Sequence, residues 1–377
     1  MENPFVFGRA VTDNAFINRQ KELREISDAL RDGQSVILFS PRRFGKTSLI
    51  KKAMNRLKKK KILCFYVDLY RITSLEQFFR DYSNTIAGEL KSPAEKVYQT
   101  IKEILPSLKP KLVFKDIGVP SVEFDVGIES LKKKSSLKEL FESVEIFCKK
   151  KSRKAVIVFD EFQEIKNMPE YEGLEREMRS AFQHHQHVSY AFLGSKYHLM
   201  QEIFNDKNRP FYNFGMHVEL GIIEAEHWEK HITQCFRKEK FIFSEKVCSG
   251  IMNYAKGHPY YTQVLCRELW SLTSESKRVG AKHVETALQN SLTRLNHGFV
   301  EVWDALNMRA RNLLFALTSK PESKIFSAAF VNEFNLGATS TVQETVKSLL
   351  KKGIMQKKNN THSIADPFFG LWIKLKE

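Results

Sequence analysis

The chain has 377 residues, too many for one ordinary domain, and its 42% hydrophobic and 28% charged residues are typical of globular proteins. No apolar run approaches the roughly 18 residues that cross a bilayer, and five widely spaced cysteines offer neither a disulfide framework nor a zinc site, so we expect a cytoplasmic protein without a membrane partner. With 60 basic against 44 acidic residues the net charge is +16, which favours polyanionic partners.

Compact apolar runs followed by long helical patterns recur through the first 220 residues, which is typical of an α/β domain with a parallel sheet. We predict five buried strands, at residues 35–40, 62–68, 155–160, 188–194 and 216–220. Between the second and third strands apolar and charged residues alternate with a period of two, so residues 106–132 predict a β-hairpin inserted into the domain.

The first predicted strand leads through Ser40 to Ser48 into a helix. Phosphate binding at a helix N-terminus requires backbone N–H groups, a lysine that reaches the β and γ phosphates, and a hydroxyl for Mg²⁺. Gly45, Lys46 and Thr47 supply these parts. The pattern usually begins with glycine, so Ser40 is expected to cost about 1 kcal/mol or more if the backbone angle there is unusual. The sequence thus predicts a site for ATP or ADP with Mg²⁺, lined by Pro41, Arg42, Arg43, Phe44, Gly45, Lys46, Thr47 and Ser48.

The positive charge is concentrated in the first half of the chain. Residues 1–160 carry 32 basic and 20 acidic groups, residues 161–299 carry 17 of each, and residues 300–377 carry 11 and 7. Lysine runs at 58–61 and 149–151 directly precede predicted strands, so they belong to the sheet edge opposite the strand ends where ligands bind. The simplest interpretation of these runs is that they are solvated helix ends.

The third predicted strand delivers Asp160 and Glu161 to the edge where the phosphate loop opens. Mg²⁺ takes few protein ligands, and a second carboxylate can polarise the water that attacks the γ-phosphorus. We predict that Asp160 and Thr47 hold the metal and that Glu161 is the catalytic base. Ser195, after the fourth strand, is either a sensor of the γ-phosphate or an ordinary turn residue. Arg209 is either a surface residue or an arginine that neutralises charge on a neighbouring subunit's nucleotide.

The remainder of the chain is helical to about residue 297, and then follows the order helix, helix, helix, hairpin. We therefore predict three domains, at 1–223, 224–297 and 298–377. In the last one, helices at 311–317 and 324–334 precede a third helix that starts with a capping box from Thr341 to Glu344.

A strand at 354–356 and a polar turn at 357–361 complete the order of a winged-helix domain. Such domains either bind duplex DNA or pack against proteins. The candidate DNA-contacting residues are lysines on the third helix and the turn, namely Lys347, Lys351, Lys352, Lys357 and Lys358.

Five motifs occur in order along the chain: FINRQKEL at 16–23, PRRFGKTSLI at 41–50, DEFQ at 160–163, GHPYYTQ at 257–263 and DPFFGLWI at 366–373. With them the chain resembles an archaeal-type AAA+/STAND P-loop ATPase over almost its whole length. The resemblance implies a parallel sheet of order 5-1-4-3-2, a helical lid and a C-terminal winged helix. It also implies that Pro259 of the lid approaches the nucleotide and that Phe16, Asn18 and Arg19 lie near the adenine.

Three hypotheses follow for function. The first is an ATP-hydrolysing switch in which nucleotide changes the disposition of the winged helix on duplex DNA. The second is the same switch with a protein partner, and the third is a nucleotide-binding scaffold with little turnover. Asn213 stands where the family often has an arginine, so a finger in the same chain is not evident, and a homo-oligomer is expected to supply it.

Overall fold

The computed structural model describes residues 2–11, 16–89, 109–114, 120–125, 134–321, 324–358 and 360–376. The chain divides into two compact units. We call the first the α/β unit, Arg19–Arg42 and Lys46–Leu220, and the second the helical unit, Met1–Asn18, Arg43–Gly45 and Gly221–Glu377. Among the described residues, none of the helices combines the length and the apolar character needed to cross a membrane.

The α/β unit alternates strands and helices. Its elements in chain order are α1 (Gln20–Arg31), β1 (Val36–Phe39), α2 (Lys46–Lys59), β2 (Leu63–Asp68), α3 (Leu75–Glu89), β3 (Lys109–Phe114), β4 (Pro120–Asp125), α4 (Lys134–Lys150), β5 (Ala155–Asp160), α5 (Tyr171–Phe182), β6 (Val188–Gly194), α6 (Tyr197–Asn205) and β7 (Met216–Glu219). Short 3₁₀ helices follow β2 and β5, at Leu69–Arg71 and Phe162–Asn167. β3 and β4 pair antiparallel within the segment for which the sequence predicts a hairpin.

One parallel sheet of five strands forms the centre of this unit, in the order β2-β5-β6-β1-β7. Counting sheet strands alone, this is the order 5-1-4-3-2, so the predicted fold class is confirmed. Every residue of β1, β5 and β6 is buried, because helices cover both faces of a parallel sheet, and these strands are therefore continuous apolar runs in the sequence. The hydrogen-bonded register aligns Asp68 with Asp160 and Phe39 with Gly194, so the residues after these strands emerge at one edge.

The helical unit contains two consecutive groups of elements. The first comprises α7 (Ala225–Lys238), β8 (Ile242–Phe243), α8 (Glu245–Ala255), α9 (Pro259–Thr273), β9 (Arg278–Val279) and α10 (Ala281–Asp304). The second comprises α11 (Met308–Ser319), α12 (Ala328–Glu333), α13 (Thr339–Lys351), β10 (Met355–Lys358), β11 (Thr361–Ile364) and α14 (Pro367–Lys374). In the second group, helices α11, α12 and α13 followed by the antiparallel hairpin of β10 and β11 confirm the predicted winged helix.

Local details of the winged helix differ from the sequence-based prediction. The third helix begins at Thr339 without a side-chain cap, so the predicted capping box at Thr341 is wrong. α12 is shorter than predicted because Ser327 accepts the N–H of Phe330 and thereby starts the helix late. Strand β10 continues through Lys357 and Lys358, which we had placed in the turn.

A buried carboxylate lies on α5 of the α/β unit. The Glu175 side chain is 0% exposed, and neither of its carboxylate oxygens has a hydrogen-bond partner among the described residues. Arg209 Nη1 lies 3.8 Å from Oε2, close enough for attraction but too far for a hydrogen bond. Burial raises the pKa of Glu175 to about 7, so the folded chain retains this proton to a higher pH than an exposed glutamate does.

The raised pKa of Glu175 predicts a pH-dependent stability. The folded chain holds this proton more tightly than the unfolded chain, whose glutamate pKa is 4.5, so the free energy of unfolding falls as pH rises towards about 7. Between about pH 5 and about pH 8 the expected loss is about 2 to 3 kcal/mol relative to Glu175→Gln. Urea unfolding followed by far-UV circular dichroism measures it. Glu177→Gln, a partly exposed carboxylate on the same helix, is the control, and parallel pH profiles for wild type and Glu175→Gln would refute the prediction.

Candidate nucleotide-binding site

The segment between β1 and α2 has two left-handed positions, Arg43 with φ 69° and Gly45 with φ 89°. Ser40 is not among the residues with positive φ, so the backbone strain that we expected there is absent. Its N–H extends the sheet by donating to the Gly194 carbonyl at 3.3 Å. The left-handed angle at Arg43 costs about 1 to 2 kcal/mol, which locates the strain of this loop three residues after the expected position.

Lys46 opens helix α2 and is almost completely buried, with 6% of the residue exposed. Nζ donates to the carbonyl oxygens of Ser40 at 2.9 Å and Pro41 at 3.4 Å. Burial lowers the pKa of Lys46, while the negative charges of Glu161 and Asp160 oppose the shift. A buried cation with neutral carbonyl partners is well suited to an anionic phosphate, whose charge would offset the desolvation.

Asp160 ends β5 and accepts hydrogen bonds at both carboxylate oxygens. Thr47 Oγ1 donates to Oδ2 at 3.1 Å, the Tyr66 hydroxyl donates to the same oxygen, and the Glu161 N–H donates to Oδ1 at 2.9 Å. Burial raises the pKa of Asp160, and the hydrogen bond from Tyr66 opposes that shift. The hydroxyl of Thr47 and the carboxylate of Asp160 are oxygen ligands of the type that Mg²⁺ accepts, so the pair fits this metal.

Glu161 adopts a left-handed backbone conformation, with φ 52° and ψ 45°. Its Oε2 accepts two short hydrogen bonds of 2.5 Å, from Ser195 Oγ and from Gln163 Nε2. The Ser195 N–H in turn donates to Gln163 Oε1 at 3.3 Å. Non-glycine residues in this region cost about 1 kcal/mol or more, and such positions cluster at functional sites. The turn and its two donors fix the carboxylate in one orientation.

Gly194 is required by the close approach of Gln163. A Cβ at this position would lie 2.7 Å from Gln163 Oε1 and 2.3 Å from the Met200 sulfur. Any side chain at Gly194 would therefore displace the amide that orients Glu161. The structure thus brings together Lys46, Thr47, Asp160, Glu161 and Ser195, which we call the phosphate-loop cluster.

The sequence reasoning missed two residues of this neighbourhood, Tyr66 and Gln163. Tyr66 reaches Asp160 because β2 and β5 are hydrogen-bonded neighbours, which the sequence alone does not reveal. Gln163 lies within the DEFQ motif, and its position two residues after Glu161 was the available signal.

Two other predicted nucleotide-binding residues of this loop, Arg42 and Arg43, contact side chains outside the phosphate-loop cluster. The Arg42 guanidinium lies 6.0 Å from the ring centroid of Tyr70 in the α/β unit, and Ser48 is buried in α2. Within the helical unit, Arg43 lies 4.4 Å from the Tyr260 ring centroid and donates to the Tyr261 hydroxyl at 3.3 Å. That hydroxyl donates to the Asp366 carboxylate of the winged helix.

The GHPYYTQ motif forms the start of α9 in the helical unit. Phe44 packs edge-on against His258, with ring centroids 4.5 Å apart, and Pro259 occupies the first turn of the helix. His258 caps that helix by accepting the Tyr260 N–H at 3.2 Å. Burial lowers the pKa of His258 to about 4, so its ring stays neutral at physiological pH and can accept this bond.

The predicted adenine neighbours lie just before α1. Asn18 and Arg19 are both left-handed, with φ of 52° and 65°, and Phe16 is half-buried. Arg19 Nη1 donates to Glu22 Oε1 at 2.9 Å. An ion pair with its own helix therefore orients this guanidinium.

Arg209 is held inside the α/β unit. Its guanidinium lies 3.8 Å from Glu175, 3.9 Å from Glu202 and 4.9 Å from the Tyr171 ring centroid. None of these three residues belongs to the phosphate-loop cluster. The interpretation of Arg209 as a simple surface residue is therefore incomplete, because two carboxylates and an aromatic face anchor its side chain.

Solved structures with a similar fold cover nearly the whole chain. The Walker-type ATPase PABY2304 of Pyrococcus abyssi aligns with a TM-score of 0.69 and 16% identity, covering 98% of this chain and 99% of that one. The Aeropyrum pernix ORC2 protein in ADPNP–ADP complexes aligns with a TM-score of 0.59 and 12% identity over 99% and 98%. The Aeropyrum pernix ORC1 protein in complex with DNA gives 0.50 and 13% over 97% and 94%. At these identities the comparisons establish a shared fold.

Sequence comparisons identify two families. A profile described as a probable winged helix domain matches residues 297–375, and one described as an ATPase domain predominantly from Archaea matches residues 16–262. No curated protein sequence matches significantly. The ATPase match spans the phosphate loop, the Asp160 and Glu161 pair and the start of α9. The chain therefore belongs to the family of ATP-binding P-loop ATPase domains found predominantly in Archaea, and it carries a C-terminal winged helix.

Proposed function

We propose that this protein is a magnesium-dependent ATP hydrolase that acts as a nucleotide-controlled switch on duplex DNA. The observation that supports the hydrolase proposal is that two adjacent carboxylates, Asp160 and Glu161, have different hydrogen-bond partners. Asp160 faces Thr47, while Glu161 faces Ser195 and Gln163, and the two groups are thereby held apart in separate hydrogen-bond environments.

Each residue of the phosphate-loop cluster then has a distinct role. Lys46 would contact the β and γ phosphates, and Thr47 with Asp160 would hold a magnesium ion, which would neutralise phosphate charge. Glu161 accepts a hydrogen bond from the attacking water and orients it. Ser195 and Gln163 act through Glu161, because their hydrogen bonds set the direction of its carboxylate.

The winged helix supports duplex DNA as the partner. Lys347, Lys351 and Lys352 on and just after α13 are exposed, as is Lys357 on β10, so a helix and a hairpin strand carry positive charge. The structural relative ORC1 is described in complex with DNA. A neutral winged helix would favour a protein partner instead, but these lysines are suited to phosphate contacts.

The two central roles predict different defects on substitution. Lys46→Ala is expected to abolish nucleotide binding, because the buried ammonium is the main cation of the site. Glu161→Gln is expected to bind ATP normally but to hydrolyse it at least about a hundredfold more slowly, the scale of a general base. Fluorescent-nucleotide titration and phosphate release measure the two effects. Normal turnover in Glu161→Gln would reject its role as base, and normal binding and turnover in Lys46→Ala would reject the site.

Ser195 predicts a purely kinetic defect. Ser195→Ala removes a hydrogen bond to a charged group, worth about 1.5 to 3 kcal/mol, and is expected to lower kcat about 10- to 100-fold with little change in KM. Ser195→Thr retains the hydroxyl and should recover most of the rate. If KM rises while kcat is unchanged, Ser195 contacts the nucleotide rather than positioning Glu161.

The winged-helix lysines predict the salt dependence of DNA binding. Each lost phosphate contact lowers the log–log salt slope by about 0.9, so replacing Lys347, Lys351 and Lys352 with glutamine should lower it by up to about 2.7. The matched control replaces Lys230, Lys246 and Lys282, exposed lysines elsewhere in the helical unit. Fluorescence anisotropy with a mixed-sequence duplex gives the slope. Equal slopes for the winged-helix variant and the control variant would show that the DNA contacts lie outside the winged helix.

A further inference from the structure

A second concentration of positive charge lies on the α/β unit, at the edge where the sheet strands begin. The lysine run before β2 and the basic run before β5 are brought together because these strands are paired neighbours, with Leu63 beside Ala155. Adjacent strands lie about 4.8 Å apart. We call the seven residues concerned the basic edge: Lys59, Lys60, Lys61, Lys149, Lys151, Arg153 and Lys154.

Hydrogen bonds to backbone carbonyl groups hold the two loops of the basic edge in place. The Leu63 N–H donates to the Lys154 carbonyl at 3.0 Å, and Arg153 Nη2 donates across the loops to the Lys61 carbonyl at 3.2 Å. Lys154 Nζ donates to the carbonyl of Arg31 at the end of α1, also at 3.0 Å. The charges are therefore presented by a defined backbone and not by a chain terminus.

Among the described residues, no carboxylate pairs directly with a side chain of the basic edge. All seven side chains are exposed, and within the described ranges none of them forms an ion pair. The nearby Lys58 is different, because Glu89 accepts two hydrogen bonds from its ammonium at 2.8 and 2.9 Å. Asp28 and Asp32 are engaged by Arg31 at 2.8 Å each. Asp32 interacts electrostatically with Lys60 and Lys154 without forming an ion pair with either, so the seven cations on these two loops are compensated only in small part.

Helix geometry explains only part of this cluster. Lysines in the last turn of a helix are stabilised by its dipole, which accounts for Lys59 at the end of α2 and Lys149 at the end of α4. The dipole effect decays within one turn. Lys60, Lys61, Lys151 and the two following cations lie beyond the helix ends, so solvated helix termini do not account for them.

We propose that the basic edge is a second binding surface for the phosphate backbone of duplex DNA, which rests on the proposed function in DNA binding and adds a contact on the α/β unit. Duplex DNA carries one negative charge per about 1.7 Å of axis, so a cluster of exposed cations is complementary to it in charge. A lipid surface is the weaker match, because interfacial binding also needs apolar side chains and the seven members are all basic.

The position of the basic edge separates it from nucleotide chemistry. Lys46, Asp160 and Glu161 lie at or after the ends of β1 and β5, whereas the basic edge precedes the starts of β2 and β5. In a parallel sheet these are opposite edges of the same unit. DNA at the basic edge therefore does not compete with nucleotide. Replacing the lysines of the basic edge leaves ATP turnover in the absence of DNA unchanged.

The test replaces Lys60, Lys61 and Lys151 with glutamine in the full chain and measures anisotropy of a mixed-sequence duplex from about 50 to about 200 mM salt. We expect the log–log slope to fall by about 1 to 2.7, with ATP hydrolysis in the absence of DNA equal to wild type. The control replaces Lys21, Lys138 and Lys207, three exposed lysines of the same unit, and should keep the wild-type slope.

The outcomes separate this inference from the proposed function. An unchanged slope in the basic-edge variant, with a reduced slope in the winged-helix variant, overturns the basic edge and leaves the switch on DNA intact. An equal fall in the Lys21, Lys138 and Lys207 control also overturns it, because net charge alone would then explain the effect. If wild type does not bind DNA at low salt, or binds only vesicles of anionic lipid, both the basic edge and the proposed switch on DNA are overturned. Normal ATP hydrolysis in that case would still support the assignment as an ATP hydrolase.

Discussion

The parallel pairing of β5 with β2 on one side and β6 on the other is the constraint on which the α/β unit depends. Its hydrogen bonds place the end of each strand at one edge, where Asp160, Glu161 and Ser195 emerge beside the phosphate loop. The same pairing places the strand starts at the opposite edge, where two basic loops converge. A shift in the register of β5 would separate Ser195 from Glu161 and also Tyr66 from Asp160. The geometry of the site therefore depends directly on the pairing of the sheet.

Electrostatics at the strand ends favour the arrival of opposite charge. Burial lowers the pKa of Lys46 and raises the pKa of Asp160, so each group would gain from an added partner. In the proposed function, phosphate would supply the anion for the lysine, and magnesium would supply the cation for the carboxylate. The carboxylate of Glu161 differs from these two groups because hydrogen bonds from Ser195 and Gln163 orient it. This difference is the physical basis for assigning metal binding to one carboxylate and water activation to its neighbour.

The helical unit links the tip of the loop to the winged helix by a continuous set of side chains. Arg43 packs on Tyr260 and donates to Tyr261, which in turn donates to Asp366 and stacks on Phe368 with ring centroids 4.3 Å apart. Asp366 also accepts the N–H groups of Phe368 and Phe369 at the start of α14. Such contiguous polar and aromatic contacts are the kind of element through which a nucleotide-controlled switch can act.

The sequence by itself determined the five sheet strands and the residues at their ends, because burial on both faces leaves a local apolar signature in β1, β5 and β6 and the phosphate loop has a local pattern. The predicted burial of the fifth strand is wrong, since three of the four residues of β7 are exposed. The order of the sheet came from the resemblance to a family, and the structure confirmed it. Only the tertiary structure decided that Tyr66 completes the site, that Ser40 is unstrained while Arg43 is not, and that Arg209 is anchored by Glu175 and Glu202. The hydrogen bonds to Asp160 join residues 94 and 113 positions apart, and that to Glu161 from Ser195 spans 34. Contacts over such separations depend on strand register and side-chain direction, which no local pattern encodes.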